Sequence, residues 1–215
     1  MARPIDPNRD VFEREILDQA ARVFAEKGYR NATTEDIAER VKLKKSSLYH
    51  YFDSKENLLH QALAMNLRRS LAPLQALGSQ ATPPRERLRQ AILQQADQIV
   101  NAPYVAVLFL TERASLTPEH LRECLDLRRQ HEQVLRDIVD AGVADGSFAP
   151  VASDVAVKLI YGALNGLPWW WQPGGRDSLA ETAGQFADLL VERMLARPVA
   201  TRSSGRTRPA AALAR

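Results

Sequence analysis

The residues with the most chemical potential lie between Thr33 and Lys55, in the stretch TTEDIAERVKLKKSSLYHYFDSK. Arg40, Lys42, Lys44 and Lys45 put four bases into six positions, and no acid follows until Asp53. Ser46, Ser47, Tyr49 and His50 supply hydroxyl and imidazole groups beside them. Such groups can donate to phosphate oxygens or reach base edges. The same pattern also suits a solvated, lysine-rich helical turn, so its meaning depends on the elements that carry it.

Other constellations are thinner. His120 and Cys124 are four apart and can share a helix face, but two ligands do not make a metal site, and none is expected. Cys124 is the single cysteine, which rules out an intramolecular disulfide and a multi-thiolate zinc site. No G-x-S-x-G, P-loop, glycine-rich dinucleotide fingerprint or H-E-x-x-H occurs, so neither an enzyme nor a bound cofactor is expected. His60 and His131 read as surface or half-buried positions, and Glu13 and Glu15 as solvated acids.

Charge adds a caution. The 215 residues carry a net +3, yet five arginines (197, 202, 206, 208, 215) lie in a tail without acids. The remainder has 24 bases against 26 acids. A nucleic-acid reading therefore rests on the local patch and not on global basicity. No apolar run reaches the roughly 18 residues of a membrane span, and no secretory leader is visible at Met1 to Asp10, so a cytoplasmic protein without a membrane partner is expected.

The elements that must position the patch read as helices throughout. Ile16, Leu17, Ala20, Ala21, Phe24 and Ala25 recur at helical spacing up to Gly28. Thr33 and Asp36 resemble a capping box opening a helix with Ile37, Ala38 and Val41 inside. A tight turn at about 41–44 leads to a short helix through Leu48 to Phe52, so the first 53 residues hold three short helices. Ser54 caps a fourth that should stop at Leu71, before Pro73. Further helices are expected at about 85–100, from Pro103, from Pro118 to Gly142–Gly146, at 153–167 and at 178–196. This is an all-α chain with a head over 1–53, a larger helical body over 54–197, and a disordered basic tail over 198–215. Two short helices joined by a tight turn can set the second into the major groove of DNA.

The segment Ile16 to Leu59 resembles the DNA-binding domain of the TetR family of bacterial regulators. The most specific parts are Phe24-Ala25-Glu26-Lys27-Gly28-Tyr29, Thr33-Thr34-x-Asp36-Ile37-Ala38 and Leu48-Tyr49-His50-Tyr51-Phe52-x-Ser54-Lys55-Glu56. The resemblance implies that Thr33 and Thr34 hold a phosphate at a helix N-terminus, and that Lys45, Ser46 and Ser47 open the recognition helix next to Lys44. It implies that Tyr49 and His50 contact phosphate or base, and that Lys55 clamps another phosphate. Leu48, Tyr51 and Phe52 are expected to pack, with DNA contact open for Tyr51. Two departures matter: Lys42 stands where the family has a turn glycine, and Lys44 where it has a capping serine. Each departure costs roughly 1 kcal/mol if the family geometry is kept. Ser46 also replaces a common glycine.

The same resemblance implies a ligand-binding and dimerising body, double-stranded operator DNA as partner, repression as the direction of regulation, and no enzymatic activity. Gly162, Gly166 and Ala163 make one helix face small, and Leu179, Ala183, Phe186, Ala187, Leu190 and Met194 form a stripe. These are candidates for a four-helix homodimer seam, with packing inside one chain as the alternative. The stretch Asn165 to Gly175, with Trp169, Trp170 and Trp171, more loosely resembles regulators of fatty-acid and steroid breakdown that respond to acyl-CoA thioesters. Gln172 and Trp169 depart from basic residues there. Tyr104, Phe109, Leu164, Asn165, Trp169 and Trp170 are the candidate lining of an apolar cavity, with Arg113 as polar anchor. Consecutive tryptophans on a helix splay by about 100° each, so they cannot all face one way. A regulator of efflux sensing an aromatic or antibiotic-like molecule is the alternative within the family, and a helical lipid carrier the alternative outside it.

Overall fold

The computed structural model describes residues 7–171, 174–175 and 178–195, and every regular element among them is helical. The basic tail and Gln172 lie outside the described residues. No helix among those described is long and apolar enough to cross a membrane.

Helix α1 (Pro7–Lys27) is longer than the short helix expected and buries Ile16, Leu17, Ala20, Ala21, Val23 and Phe24. It ends where Gly28 takes φ +76°, which a glycine adopts without a Cβ penalty. Helix α2 (Thr34–Arg40) opens on the expected capping box: Asp36 N donates to Thr33 Oγ1 at 3.1 Å, and Thr33 N donates to Asp36 Oδ2 at 2.9 Å. The turn that follows puts Lys42 at φ +57°, in the left-handed region, and Leu43 N closes it on Ala38 O at 2.8 Å. Helix α3 (Lys45–Leu48) is a single turn, and its N-cap, Lys44, makes no side-chain cap bond. Turns carry the chain on through Tyr51, where a helix to Phe52 was expected.

Helix α4 (Lys55–Gly78) corrects the sequence reading, because it passes straight through Pro73 instead of ending before it. Proline inside a helix costs about 3 kcal/mol through a missing N–H and a clash one turn back. Here Leu71 and Leu74 are buried on either side of it, and α4 packs along the length of α7. Burying two leucines, at about 1.5–3 kcal/mol for each, is enough to offset that penalty. Tertiary packing thus overrides the local stop signal.

The body follows with α5 (Pro84–Asn101), α6 (Pro103–Glu112), a 3-10 turn (Arg113–Ser115) and α7 (Pro118–Ala144). After these come α8 (Ser153–Leu164), the one-turn α9 (Leu167–Trp170) and α10 (Leu179–Asp188), which widens into a π-helical segment Leu189–Leu195. Helix α7 is the spine: Cys124, Leu127, His131, Leu135, Ile138, Val139 and Gly142 form its buried face. Two apolar clusters result. One joins α1, α2, α3 and the first half of α4 to Val105, Leu108 and Phe109 of α6 and to the start of α7. The other gathers Leu74, α5, the second half of α7, α8, α9 and α10.

Candidate nucleic-acid interface and effector cavity

Helices α2 and α3 present the expected patch. Thr33, Lys44, Lys45, Ser46, Tyr49 and His50 are exposed, while Ser47 is half-buried and Thr34 buried. Thr34 Oγ1 meets Tyr49 Oη at 3.2 Å, which ties the first turn of α2 to the residues after α3 and fixes the phenol outward, 45% exposed. Lys45 Nζ lies 3.4 Å from Glu35, a loose exposed pair that phosphate can displace. Lys27 donates to Asp36 at 2.7 Å. That bond first, then the Thr33 amide and hydroxyl, pulls the Asp36 carboxyl down to about 2.

Two basic residues of the segment are engaged elsewhere. Arg40 forks onto Glu26 at 2.5 and 3.3 Å, which removes one of the four bases from the free patch. Lys55 departs further from its expected role. Its Nζ donates to the carbonyls of Tyr29 at 2.8 Å, Ala32 at 2.9 Å and Arg30 at 3.3 Å, and it lies 4.5 Å from the centre of the Tyr29 ring. An ammonium has three protons. With all three taken, Lys55 fastens α4 to the α1–α2 connection and has none left for a phosphate. Tyr51 packs edge-on to Phe12 at 5.8 Å, so the packing alternative holds for it.

A cavity of about 90 Å³ lies among α4, α5, α6, α7 and α8. Phe109 and Asn165 line it as expected. The other five candidates do not. Tyr104 packs outside it against the first cluster, with the Arg22 guanidinium 4.9 Å from its ring. Leu164 is fully buried in the second cluster, away from the lining. Trp169 and Trp170 are 66% and 51% exposed. The last candidate, the polar anchor Arg113, is exposed on the 3-10 turn, and the arginine on the cavity wall is Arg128.

The sequence reading missed Ser70, Gln95, Arg128, His131 and Tyr161, all of which line the cavity. The available signal was a polar residue inside an apolar helical stripe: Gln95 falls between Ile92 and Ala96, and His131 between Leu127 and Leu135. His131 is buried, not half-exposed, with Nε2 2.9 Å from Leu67 O and 3.2 Å from Ser70 Oγ. Burial lowers its pKa, so the ring is neutral at pH 7. His60 is buried as well, its ring stacked on His120 at 3.8 Å. Cys124 lies in the core, where burial pushes its thiol up to about 11 and leaves it unreactive at neutral pH.

Several apolar residues of the body are exposed. Val155 and Leu159 of α8 are exposed, a Cβ at Gly162 would meet nothing within 4 Å, and Trp169, Trp170 and Leu189 lie open. Gly166 is instead filled by its own chain: a Cβ there would come 3.2 Å from Trp170 Nε1. Trp170 also packs edge-on to Phe186 at 5.6 Å. Leu190 is buried within the chain, in step with Ala183 and Ala187, while Leu189 faces outward.

A short helix pair with an outward lysine-and-hydroxyl surface, set on a helical body that holds a cavity, defines a helix-turn-helix DNA-binding regulator. The comparisons agree: residues 16–62 match the family of bacterial regulatory proteins named tetR, and residues 81–194 match the tetracyclin repressor-like C-terminal domain. The chain belongs to the TetR family of transcriptional regulators. It is 31% identical over 194 residues to the HTH-type transcriptional repressor KstR2 of Mycolicibacterium smegmatis, covering 87% of this chain and 93% of that one. The crystal structure of PfmR from Thermus thermophilus, a TetR family transcriptional regulator, superposes with a TM-score of 0.76 at 32% identity, over 82% of this chain and 97% of that one. AibR, solved with isovaleryl coenzyme A and operator DNA, shares the fold with a TM-score of 0.76 at 23% identity, over 84% of this chain and 98% of that one.

Proposed function

We propose that this regulator is a homodimeric repressor that binds a two-fold operator and is released by a small, largely apolar effector, an acyl-CoA thioester being the favoured class. The observation that carries the reading is the Thr34–Tyr49 bond, which presents the α2 N-terminus, Lys44, Lys45 and the Tyr49 phenol as one preformed surface. A single-turn recognition helix specifies few base pairs, so two copies about 34–36 Å apart are needed for a selective site. The open apolar face of α8 with Trp169, Trp170 and Leu189 supports pairing there.

The cavity supports the effector half. At about 90 Å³ it is smaller than the roughly 150 Å³ that admits benzene. A larger ligand must therefore move a wall, and Leu63, Asn66, Leu67 and Ser70 of α4 form one side. Helix α4 is also held to the head by Lys55 at its first residue. Displacing α4 shifts the population away from the DNA-competent dimer in proportion to the effector's preference for the displaced state. The thioester class rests on similarity to KstR2 and on the fold shared with the coenzyme A ester complex of AibR. Phe109 and Tyr161 on the lining equally suit an aromatic ligand.

Fluorescence anisotropy on the chain's own upstream DNA tests the reading. Lys45→Ala weakens operator binding and makes the salt dependence shallower by about 1 in log–log slope per protomer, about 2 for the intact dimer. Equal affinity and slope in wild type and variant would remove Lys45 from the interface. Release of the operator by a thioester but not by the free acid supports the effector class, and no response to a panel of coenzyme A esters would move it toward drug-like molecules.

A further inference from the structure

Two residues that line the cavity each bury a polar group with nothing in the protein to bond. Tyr161 Oη and Gln95 Nε2 are buried without a hydrogen-bond partner, and both residues line the cavity. Gln95 is 6% exposed. Buried polar groups are nearly always paired, because leaving one unpaired forfeits its hydration without return. Each is a donor that an acceptor oxygen would satisfy.

The neighbouring groups restrict what that oxygen can be. His131 is neutral and already bonded through Nε2 to Leu67 O and Ser70 Oγ. Among the described residues lining the cavity, Arg128 carries the one cationic group. It sits 4.8 Å from the Phe109 ring centre with Glu132 at 3.7 Å, so its charge is partly balanced before any ligand arrives. A carboxylate placed against Tyr161 and Gln95 would be a desolvated anion without a full counter-charge. A neutral acceptor carries no such penalty.

We propose that Tyr161 and Gln95 form a recognition point for an uncharged carbonyl oxygen, so that the effector is an apolar carbonyl compound and not a free acid. This rests on the cavity being the effector site and names the ligand chemistry that site selects. A ring ketone and a thioester share that chemistry.

Saturation-transfer NMR on the full-length protein tests it with cyclopentanone, its shape-matched hydrocarbon methylenecyclopentane, S-ethyl thioacetate and cyclopentanecarboxylate. The ketone binds about tenfold more tightly than the hydrocarbon, one well-made hydrogen bond's worth, and more tightly than the carboxylate. Tyr161→Phe and Gln95→Leu each erase that preference. Tyr161→Phe also raises the unfolding midpoint of the free protein, whereas a purely structural hydroxyl would lower it. Loss of S-ethyl thioacetate binding in Tyr161→Phe marks a thioester as the source of the oxygen, and loss of cyclopentanone binding marks a ring ketone. Loss of neither overturns the proposal. Hydrocarbon binding as tight as ketone binding also overturns it while leaving the cavity as the effector site. Binding of no probe overturns both.

Discussion

Replacing Lys55 by methionine keeps the aliphatic stem and removes the ammonium, which separates two roles that the residue type alone would allow. The substitution deletes three charge-assisted bonds to carbonyls, two part-buried at 2.8 and 2.9 Å and one exposed at 3.3 Å, together with the approach to the face of Tyr29 at 4.5 Å. Charged hydrogen bonds are worth about 1.5–3 kcal/mol when dry, and partial exposure reduces each inner one to about 1 kcal/mol. The exposed bond adds little, and the cation–π interaction adds about 0.5 kcal/mol. Lys55→Met should therefore cost about 2–3 kcal/mol. By urea titration followed by circular dichroism, that lowers the midpoint by roughly 1 M at a typical slope. The companion measurement is operator affinity against salt. Removing a lysine that neutralises a DNA phosphate reduces the log–log slope by about 0.9 per protomer, about 1.8 for the dimer, whereas removing an internal clasp leaves the slope unchanged. Unchanged stability together with a slope reduced by about 1.8 would refute the clasp and restore the phosphate role.

Lys42→Gly should stabilise the protein by about 1 kcal/mol, because φ +57° burdens a residue with a Cβ but not glycine. Lys44→Ser should add about 1 kcal/mol by supplying the cap that α3 lacks; thermal unfolding reads both, and no gain in either would refute the strain argument. Leu159→Arg places a charge on the open face of α8 and should give a folded monomer by sedimentation, with operator affinity lost; a persisting dimer would move the interface elsewhere. Asp36, held down to about 2 chiefly by Lys27, has a lower pKa folded than unfolded. Its contribution is present above the ordinary carboxylate range and disappears as pH falls through that range to about 2. The stability gap between wild type and Asp36→Asn should therefore close on acidification in urea titrations, and a gap that widens would show the sign to be wrong.

The sequence by itself determined the head. Helical spacing in Ile16 to Ala25, the Thr33–Asp36 box and the density of bases and hydroxyls from Arg40 to His50 are local features, set by residues within a few positions of one another. Propensity, capping and charge density act over that range, so they can be read from a string. The departures at Lys42 and Lys44 were legible only through the family resemblance, and the positive φ and missing cap fall at those two positions.

Tertiary structure decided everything that depends on a partner distant in the chain. Lys55 reaches carbonyls 23 to 26 positions away, and Arg40 reaches Glu26 fourteen positions back. Neither destination is encoded in neighbouring residues. Pro73 stays helical where Leu71 and Leu74 beside it are buried by other elements, a gain that no local window contains. The cavity escaped in the same way. Periodicity says that a face is inward but not what stands opposite, so Tyr104 and Leu164 were as eligible as Phe109 until five helices had been packed. Likewise Trp169, Trp170 and Leu189 turn outward while Leu190 turns inward, an assignment that periodicity alone leaves open. A shift of one position in register reassigns a side chain from core to surface, and only the packed molecule fixes that position.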